Sequence, residues 1–261
     1  MNFDELLDSM ASGPDGEAHV NPPDNWRQGR TLYGGLTLAL SQAAAARAFP
    51  GLPPLRAVQT AFIGPSAGEV SIRPAILRAG KSMTFVGVDL VAEGRLAARS
   101  LFAHGAARPS ALSARAPSPP PAPAPDVAPP LFQTAGRPAF TVHLDQRFAG
   151  GHRLMTGAPH GDLLVWVRHA EAVAPSTSAL LLLGDALPPA SFPRFAAPAI
   201  ISTVTWGFEL FAPERHKGEG WHLLRSTDDG VGEGYAGQSM GMWDEGGEPI
   251  LLGRQSVAIF G

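Results

Sequence analysis

The chain has 261 residues, of which 44% are hydrophobic, enough to fill the core of one large domain or two small ones and to exclude a disordered chain. A formal charge of −3 and a pI near 6.2 give no basic footprint for a nucleic-acid partner. The absence of cysteine excludes disulfides, thiolate nucleophiles and Cys-based zinc sites. The N-terminal segment MNFDELLDSM is acidic, and no apolar run reaches the roughly 20 residues of a membrane span. We therefore expect a cytoplasmic protein without a membrane partner.

The first half is predicted to contain one helix followed by four strands. The stretch GGLTLALSQAAAARAFPG has mostly apolar and Ala residues, begins at glycines and ends at Pro50 and Gly51, which is typical of a buried helix. Four strand-like segments follow, namely RAVQTAFIG, GEVSIRPAILRAG, SMTFVGVDLVAEG and RLAARSLFAHG.

A proline-rich segment then interrupts the pattern. Residues 109–130 contain nine of the 26 prolines, and repeated proline favours an extended chain outside helices and sheet interiors. We interpret this segment as a plain spacer.

The second half repeats the order of the first. The strand-like segments FTVHLDQRFAG and DLLVWVRHAEA lead to the predicted helix SALLLLGDAL, and four further strand-like segments follow it. The last strands of both halves align as AARSLFA with LGRQSVA. The sequence therefore predicts an α+β protein built as a duplication, with one half over residues 1–108, a linker over 109–130 and a second half over 131–261.

The segments LYGGLTLALSQAAAARAFP and LRAVQTAFIGPSAGEVSIRPAILRAG, together with LGDALPPA and GRQSVAIF in the second half, resemble the double-hotdog acyl-CoA thioesterases of the acyl-CoA thioesterase II type. The resemblance covers nearly the whole chain except the first twenty or so residues and the linker. It implies a tandem hotdog fold, in which each half is a central helix wrapped by an antiparallel sheet. It also implies hydrolysis of acyl-CoA thioesters without a cofactor or a metal.

The resemblance implies that the catalytic residues are Asp185, Thr203 and Gln255. In that family, hydrolysis is attributed to an Asp, a Ser or Thr, and a Gln at the matching positions. Such a trio can hold a water beside a thioester carbonyl and accept its proton. Without the resemblance, Asp185 reads as a residue that ends a helix before Pro188. A register shift of one residue would place Ser202 where Thr203 is expected.

The substrate is expected to contact the start of the first helix and the second sheet. Tyr33, Gly34 and Gly35 open that helix, where glycines allow a ligand close to the backbone and free N–H groups can stabilise an oxyanion; a helix entry turn is an equal alternative. The chain departs from the family pattern at Thr205-Trp206-Gly207, so Trp206 is expected to line the acyl pocket. Further expected lining residues are Leu181 and Phe208. In the first half, Ser100 matches Gln255, so that half is expected to lack a complete trio.

Other motifs in the sequence are interpreted as coincidental. GQSMG at 237–241 matches a nucleophile elbow, but no histidine follows Ser239, as that triad order requires. GEGYAG at 232–237 matches a dinucleotide motif but precedes strands, and the eight histidines lack metal-site spacing.

We expect the chain to hydrolyse acyl-CoA to free CoA and a carboxylic acid, and to assemble as a homodimer or larger homo-oligomer, because hotdog sheets leave edges to be covered. Two alternatives stay open. One is a non-catalytic acyl-CoA or lipid binder; the other is an enoyl-CoA hydratase, for which NPPDN at 21–25 is the only faint sequence match.

Overall fold

The computed structural model describes residues 1–112, 116–132, 136–211, 215 and 217–260. Its α-helices are α1 (Phe3–Asp8), α2 (Gly34–Ala48) and α3 (Thr177–Gly184). The strands of the first half are β1 (Ala11–Ser12), β2 (Ala18–Val20), β3 (Arg27–Gln28), β4 (Thr31–Leu32), β5 (Leu55–Phe62), β6 (Val70–Ala79), β7 (Met83–Ala92) and β8 (Arg95–Gly105). Those of the second half are β9 (Leu144–Gly151), β10 (Asp162–His169), β11 (Ile200–Leu210), β12 (His222–Gly232), β13 (Tyr235–Asp244) and β14 (Pro249–Phe260).

One antiparallel sheet of twelve strands runs through both halves in the order β1-β2-β6-β7-β8-β5-β11-β14-β13-β12-β10-β9. The two halves join where β5 pairs with β11, and strands of corresponding position follow outward on either side. A small second sheet pairs β3 with β4. This architecture confirms the predicted α+β duplication, with one helix and four consecutive strands in each half.

The two central helices, α2 and α3, are buried and pack against one another inside the curved sheet. Each is apolar around most of its circumference, which is typical of a helix covered on all sides. The side chain of Ser176 caps α3 by accepting a hydrogen bond from the backbone N–H of Ala179 at 3.0 Å. Helix α2 ends before Pro50 and Gly51, as predicted, and α3 ends at Asp185.

The proline-rich segment is packed against the second half and is not the plain spacer expected from composition. The indole N–H groups of Trp166 and Trp243 donate to the carbonyl oxygens of Pro123 and Pro117, each at 2.8 Å. Ala128 is 2% exposed and lies in an apolar cluster on the outer side of the sheet. Because buried indoles need an acceptor, the prolines hold the segment in place through their carbonyls. The domain boundaries at 108 and 131 stay a prediction.

Each helix in the described part of the chain falls short of the length and hydropathy that a membrane crossing requires.

Candidate active site

The carboxylate of Asp185 lies where the end of α3 meets the start of α2. The α3 helix stops at this residue, and the side chain is 8% exposed. Oδ2 of Asp185 is in such close contact with Gly34 that a Cβ on Gly34 would overlap it. At the next position, a Cβ on Gly35 would lie 2.6 Å from the carbonyl oxygen of Leu182. The two glycines therefore allow the helix terminus to approach the carboxylate and α3 closely.

A chain of side-chain amides connects Asp185 to the sheet. Nε2 of Gln255, on β14, donates to Oδ1 of Asp185 at 2.9 Å and to Oγ1 of Thr203 at 3.3 Å. Nε2 of Gln238, on β13, donates to Oε1 of Gln255 at 2.5 Å, and the backbone N–H of Ala190 donates to Oε1 of Gln238 at 2.7 Å. Sequence reasoning placed Asp185, Thr203 and Gln255 at one site, and the structure brings these three side chains together.

The direction of every hydrogen bond in this chain follows from one backbone group. Because the N–H of Ala190 can only donate, the oxygen of Gln238 must face it and the Gln238 NH₂ must face Gln255. The Gln255 oxygen then accepts, and both of its amide hydrogens are directed to Asp185 and Thr203. Thr203 thus accepts from Gln255 and keeps its own hydroxyl proton for another acceptor.

A β-bulge directs Thr203 into the site. In the pairing of β11 with β14, Thr203 lies opposite Val257 and Thr205 lies opposite Ser256, so Val204 is the extra residue. Trp206 faces the helices. Side chains alternate along a regular strand, so without the bulge Thr203, three positions before Trp206, would face the opposite side of the sheet. Ser202 is exposed. The hydroxyl that contacts Gln255 is therefore that of Thr203, and the register shift that would have used Ser202 is absent.

Burial raises the pKa of the Asp185 carboxyl to about 7. The hydrogen bonds from Gln255 and from the backbone N–H of Gly35 lower this pKa but do not cancel the effect of burial. A carboxyl with this pKa exchanges a proton near neutral pH and is a far better base than an exposed aspartate. The apolar residues of α3 and the sheet provide the burial, among them the fully buried leucines at 180–183.

The start of α2 offers backbone donors beside this carboxylate. The N-cap residue of α2, Tyr33, makes no side-chain capping bond, and the carboxylate of Asp185 accepts from the backbone N–H of Gly35 instead. The first N–H groups of a helix are unsatisfied within the helix and favour negative charge. Their position next to Asp185 is suitable for the oxyanion of a tetrahedral intermediate.

Tyr33 lies beneath the helix start and is fully buried. Its hydroxyl donates to the carbonyl oxygen of Leu182 at 2.7 Å, and its ring stacks on Phe140 at 3.9 Å. Burial, with the nearby charge of Asp185, raises the pKa of the Tyr33 phenol well above its usual range, so the hydroxyl stays a donor. The observed contacts of Tyr33 are thus with α3 and Phe140; its predicted contact with substrate stays a prediction.

Trp206 packs against Gly184, the residue before Asp185. Its ring would lie 3.0 Å from a Cβ on Gly184, and it packs against Phe208 at 4.5 Å between ring centroids. Trp206 is 1% exposed, and Nε1 has no hydrogen-bond partner among the described residues. Leu181 is also fully buried. The three residues expected to line the acyl pocket therefore lie in the apolar layer between α3 and the sheet.

The coincidental motifs lie on other surfaces. Ser239 is on strand β13, where its hydroxyl donates to Asp229, and the next element is the strand β14. Asp24, in the stretch NPPDN, is exposed and pairs with Arg27 at 2.8 Å. Among the residues that the structure describes, no cluster of three or more His, Asp or Glu side chains could hold a metal ion. In the first half, Ser100 bonds to Thr60 at 2.9 Å.

Gln238 is the residue of this site that sequence reasoning missed. It lies in GQSMG, the motif that matches a nucleophile elbow through Ser239. The buried positions Ala236, Gln238, Met240 and Met242 alternate along β13, and Gln238 is their only polar member. A polar side chain on an otherwise apolar inward face indicates a buried hydrogen-bonded group, and this signal in the sequence could have identified Gln238.

Solved structures with the same fold cover nearly the whole chain. A conserved protein of unknown function with a hot dog fold from Alicyclobacillus acidocaldarius has a TM-score of 0.88 at 20% identity, covering 99% of this chain and 97% of its own. The tesB protein of Mycobacterium avium subspecies paratuberculosis has a TM-score of 0.80 at 16% identity, covering 99% of each chain. The acyl-CoA thioesterase II TesB2 of Mycobacterium marinum has a TM-score of 0.78 at 16% identity, covering 98% and 97%. The fold is therefore a double hotdog.

Family models assign the two halves separately. The acyl-CoA thioesterase N-terminal domain matches residues 22–105, and the acyl-CoA thioesterase C-terminal domain matches residues 113–259. The chain belongs to the acyl-CoA thioesterase family. No protein of curated function matches the chain significantly.

Proposed function

We propose that the protein hydrolyses acyl-CoA thioesters at Asp185, releasing free CoA and a carboxylic acid. The observation that carries the proposal is the hydrogen-bonded set of Asp185, Gln255 and Thr203 beside the start of α2. It combines a base with a pKa of about 7, a hydroxyl with a free proton and a backbone donor for an oxyanion. The family membership supports the same reaction class.

In the proposed reaction, a water is held between Oδ2 of Asp185 and the hydroxyl of Thr203. Asp185 accepts a proton as the water oxygen attacks the thioester carbonyl, and the backbone N–H of Gly34 stabilises the oxyanion, while the N–H of Gly35 stays bonded to Asp185. When the intermediate collapses, the carbon–sulfur bond breaks and CoA leaves as the thiolate. The proton on Asp185 then passes to the thiolate or to solvent, which returns the carboxylate. A thiolate is a good leaving group, so no second acid is required.

The decisive experiment measures free-thiol release from short, long and aromatic acyl-CoAs by the wild type and by Asp185→Asn. The substitution keeps the size of the side chain and an oxygen acceptor for Gln255 but removes the base. Loss of hydrolysis by a folded variant supports the proposal, and hydrolysis at the wild-type rate would reject Asp185 as the base. Crotonyl-CoA belongs in the panel, because loss of its enoyl absorbance without thiol release would indicate a hydratase.

A non-catalytic acyl-CoA binder is the second candidate, and it is favoured by the low exposure of Asp185, which is 8%. It predicts saturable binding of acyl-CoA by the wild type with no thiol release from any substrate.

Association into a homodimer or larger assembly is part of the proposal. Ile200 and Phe260 are cross-strand partners that are 74% and 56% exposed, and Tyr235 on the neighbouring strand is 61% exposed. Large exposed apolar side chains grouped on one sheet surface are typical of an interface. Light scattering during size-exclusion chromatography tests this, since Ile200→Lys should shift an oligomer toward the monomer.

A further inference from the structure

The two halves of the sheet are related by a pseudo-twofold axis. The strand order on one side of the central pair is β5-β8-β7-β6, and on the other side it is β11-β14-β13-β12. Thr60 on β5 lies opposite Trp206 on β11, and these residues lie opposite Ser100 and Gln255 on the adjacent strands. The Thr60–Trp206 pair therefore lies on the axis, and Ser100 occupies the place of Gln255.

The axis also relates the two helices. Asp185 follows the first residue of α3, Thr177, by eight positions, and Gln42 follows the first residue of α2, Gly34, by eight positions. Gln42 thus occupies in the first half the position that Asp185 occupies in the second. If the Asp185 site has a counterpart, it must lie where Gln42 faces the start of α3.

A cavity of about 310 Å³ lies at that place. Gln42 on α2 and Thr177 at the start of α3 both line it. Helix α2 continues to Ala48, almost two turns past Gln42, whereas α3 ends at Asp185. This longer helix and the segment after it supply apolar walls to the cavity, among them Phe49 and Leu52.

Two buried polar atoms belong to the side chains that line this cavity and have no hydrogen-bond partner in the described part of the chain. They are Oε1 of Gln42, a residue 5% exposed, and Nε2 of His104, a residue 2% exposed. Nδ1 of His104 lies 2.8 Å from the carbonyl oxygen of Pro53, which can only accept, so Nδ1 carries the proton and Nε2 is an acceptor. Burial lowers the pKa of His104, which keeps the ring neutral.

The chemistry of these groups selects the ligand. Two unpaired acceptors require hydrogen-bond donors, and a carboxylate such as a fatty acid anion provides none. The apolar walls require a chain with a hydrocarbon stem, and Lys217 on the lining is a partner for a phosphate. The pantetheine arm of coenzyme A has amide N–H and hydroxyl donors on such a stem and ends in a phosphate.

We propose that this cavity is a second site for coenzyme A, which holds the pantetheine arm without hydrolysing a thioester. The proposal rests on the proposed function for its choice of ligand. Hydrolysis is absent there because an uncharged amide, Gln42, replaces the base. In addition, Ser100 replaces Gln255, and its hydroxyl is bonded to Thr60. The site is therefore a place where free CoA, the product of the reaction, can bind.

Calorimetric titration of coenzyme A into the whole protein tests the proposal. We expect two CoA molecules per chain for the wild type and one for Leu52→Trp, which fills the cavity. Leu77→Trp, at a leucine that is 64% exposed, is the matched control and should retain two. Ala46→Leu fills the same cavity from the helix and replaces Leu52→Trp if that variant does not fold. Thiol release should stay within about twofold of the wild type in both cavity-filling variants, because neither residue contacts the Asp185 site.

The outcomes separate this proposal from the proposed function. One CoA per chain in the wild type, at concentrations up to about 1 mM, would overturn the second site, and continued thiol release would leave the hydrolase intact. Two CoA molecules per chain in both cavity-filling variants would equally overturn it. Two sites in the wild type with no thiol release would support the cavity and reject the hydrolase. A crystal soaked with pantetheine should show the arm beside Gln42 and His104, and water alone there would contradict the assignment.

Discussion

Gln238 donates a hydrogen bond from Nε2 to Oε1 of Gln255 at 2.5 Å, and this contact fixes which end of the Gln255 amide faces Asp185. Without it, the Gln255 amide can turn and present its oxygen to the carboxylate, where two acceptors repel each other. Gln238 touches none of the proposed reacting atoms, so its place in the site is that of a positioning residue.

Replacing Gln238 by Met, of similar length, should lower kcat about tenfold or more with a smaller change in KM, because misorientation of a catalytic group affects the transition state most. It should also move the acidic limb of the pH–kcat profile to higher pH, because the hydrogen bond from Gln255 lowers the Asp185 pKa and its loss raises it. A purely structural loss would lower the active fraction and leave the limb in place. Gln59→Met, at an exposed position of β5, is the control.

The bulge at Val204 makes a prediction that separates two adjacent hydroxyls. Thr203→Ala should lower kcat by about tenfold to a hundredfold, because it removes the group that orients the water, and Thr203→Ser should restore most of it. Ser202→Ala should keep the wild-type kcat, since Ser202 is exposed on the other side of the strand. The reverse pattern in steady-state thiol release would show that the strand register assigned to β11 is wrong.

The order of helices and strands could be predicted because it is marked locally. Pro50 and Gly51 end α2, and alternating apolar residues mark the strands that follow. The residue types of the trio followed from a family resemblance, which aligns positions along the chain. These features need no knowledge of which distant segments meet.

The remainder of the site depends on contacts between distant segments. No local sequence pattern specifies which of these segments meet. Examples are the bulge that turns Thr203 inward, the hydrogen bond of Tyr33 to Leu182, and the contact of Gln238 with Ala190. The packing of the proline-rich segment on Trp166 was missed for the same reason, because composition reports chain stiffness and carries no information about a partner surface.

The close contact of Gly34 with Asp185 predicts that Gly34→Ala lowers activity by about a hundredfold. The added Cβ overlaps Oδ2, so either the carboxylate or the start of α2 must move, and displacements of about 1 Å have effects of this size. Destabilisation should stay near 1–3 kcal/mol, as for other overpacked sites. Gly230→Ala, where a Cβ meets no atom within 4 Å, is the control. Full activity of Gly34→Ala would contradict the close approach of helix and carboxylate.

The position of Trp206 against Gly184 predicts a change in acyl-chain preference when the ring is removed. Trp206→Ala should raise the ratio of kcat/KM for longer over shorter acyl-CoAs, by about fourfold for each methylene that the new space buries. The same change should destabilise the fold by about 3–5 kcal/mol. Trp206→Phe keeps most of the ring, and Nε1 has no partner among the described residues, so that variant should keep the wild-type preference. Unchanged preference in Trp206→Ala would place the acyl chain elsewhere.

The raised pKa of Asp185 predicts that removing its charge stabilises the fold. The pKa is about 7 in the folded protein and 3.8 is its ordinary value, so between these values the folded state binds more protons than the unfolded chain. The stabilisation that this group gives is therefore complete below about pH 4 and is lost as pH rises to about 7. At about 1.4 kcal/mol per pKa unit, the loss by pH 8 is on the order of a few kcal/mol. Asp185→Asn cannot ionise and should have a higher Tm than the wild type at pH 8.

Thermal unfolding of both proteins from pH 4 to pH 8 measures this difference. The gap in Tm should shrink toward pH 4, where wild-type Asp185 is protonated in the folded protein, and thiol release by Asp185→Asn should be lost throughout. A variant that is more stable but inactive is expected when a residue is buried for catalysis and its burial lowers the stability of the fold. An Asp185→Asn variant that is less stable than the wild type at pH 8 would instead identify the carboxylate as an ordinary helix-terminal residue that accepts hydrogen bonds from Gln255 and Gly35.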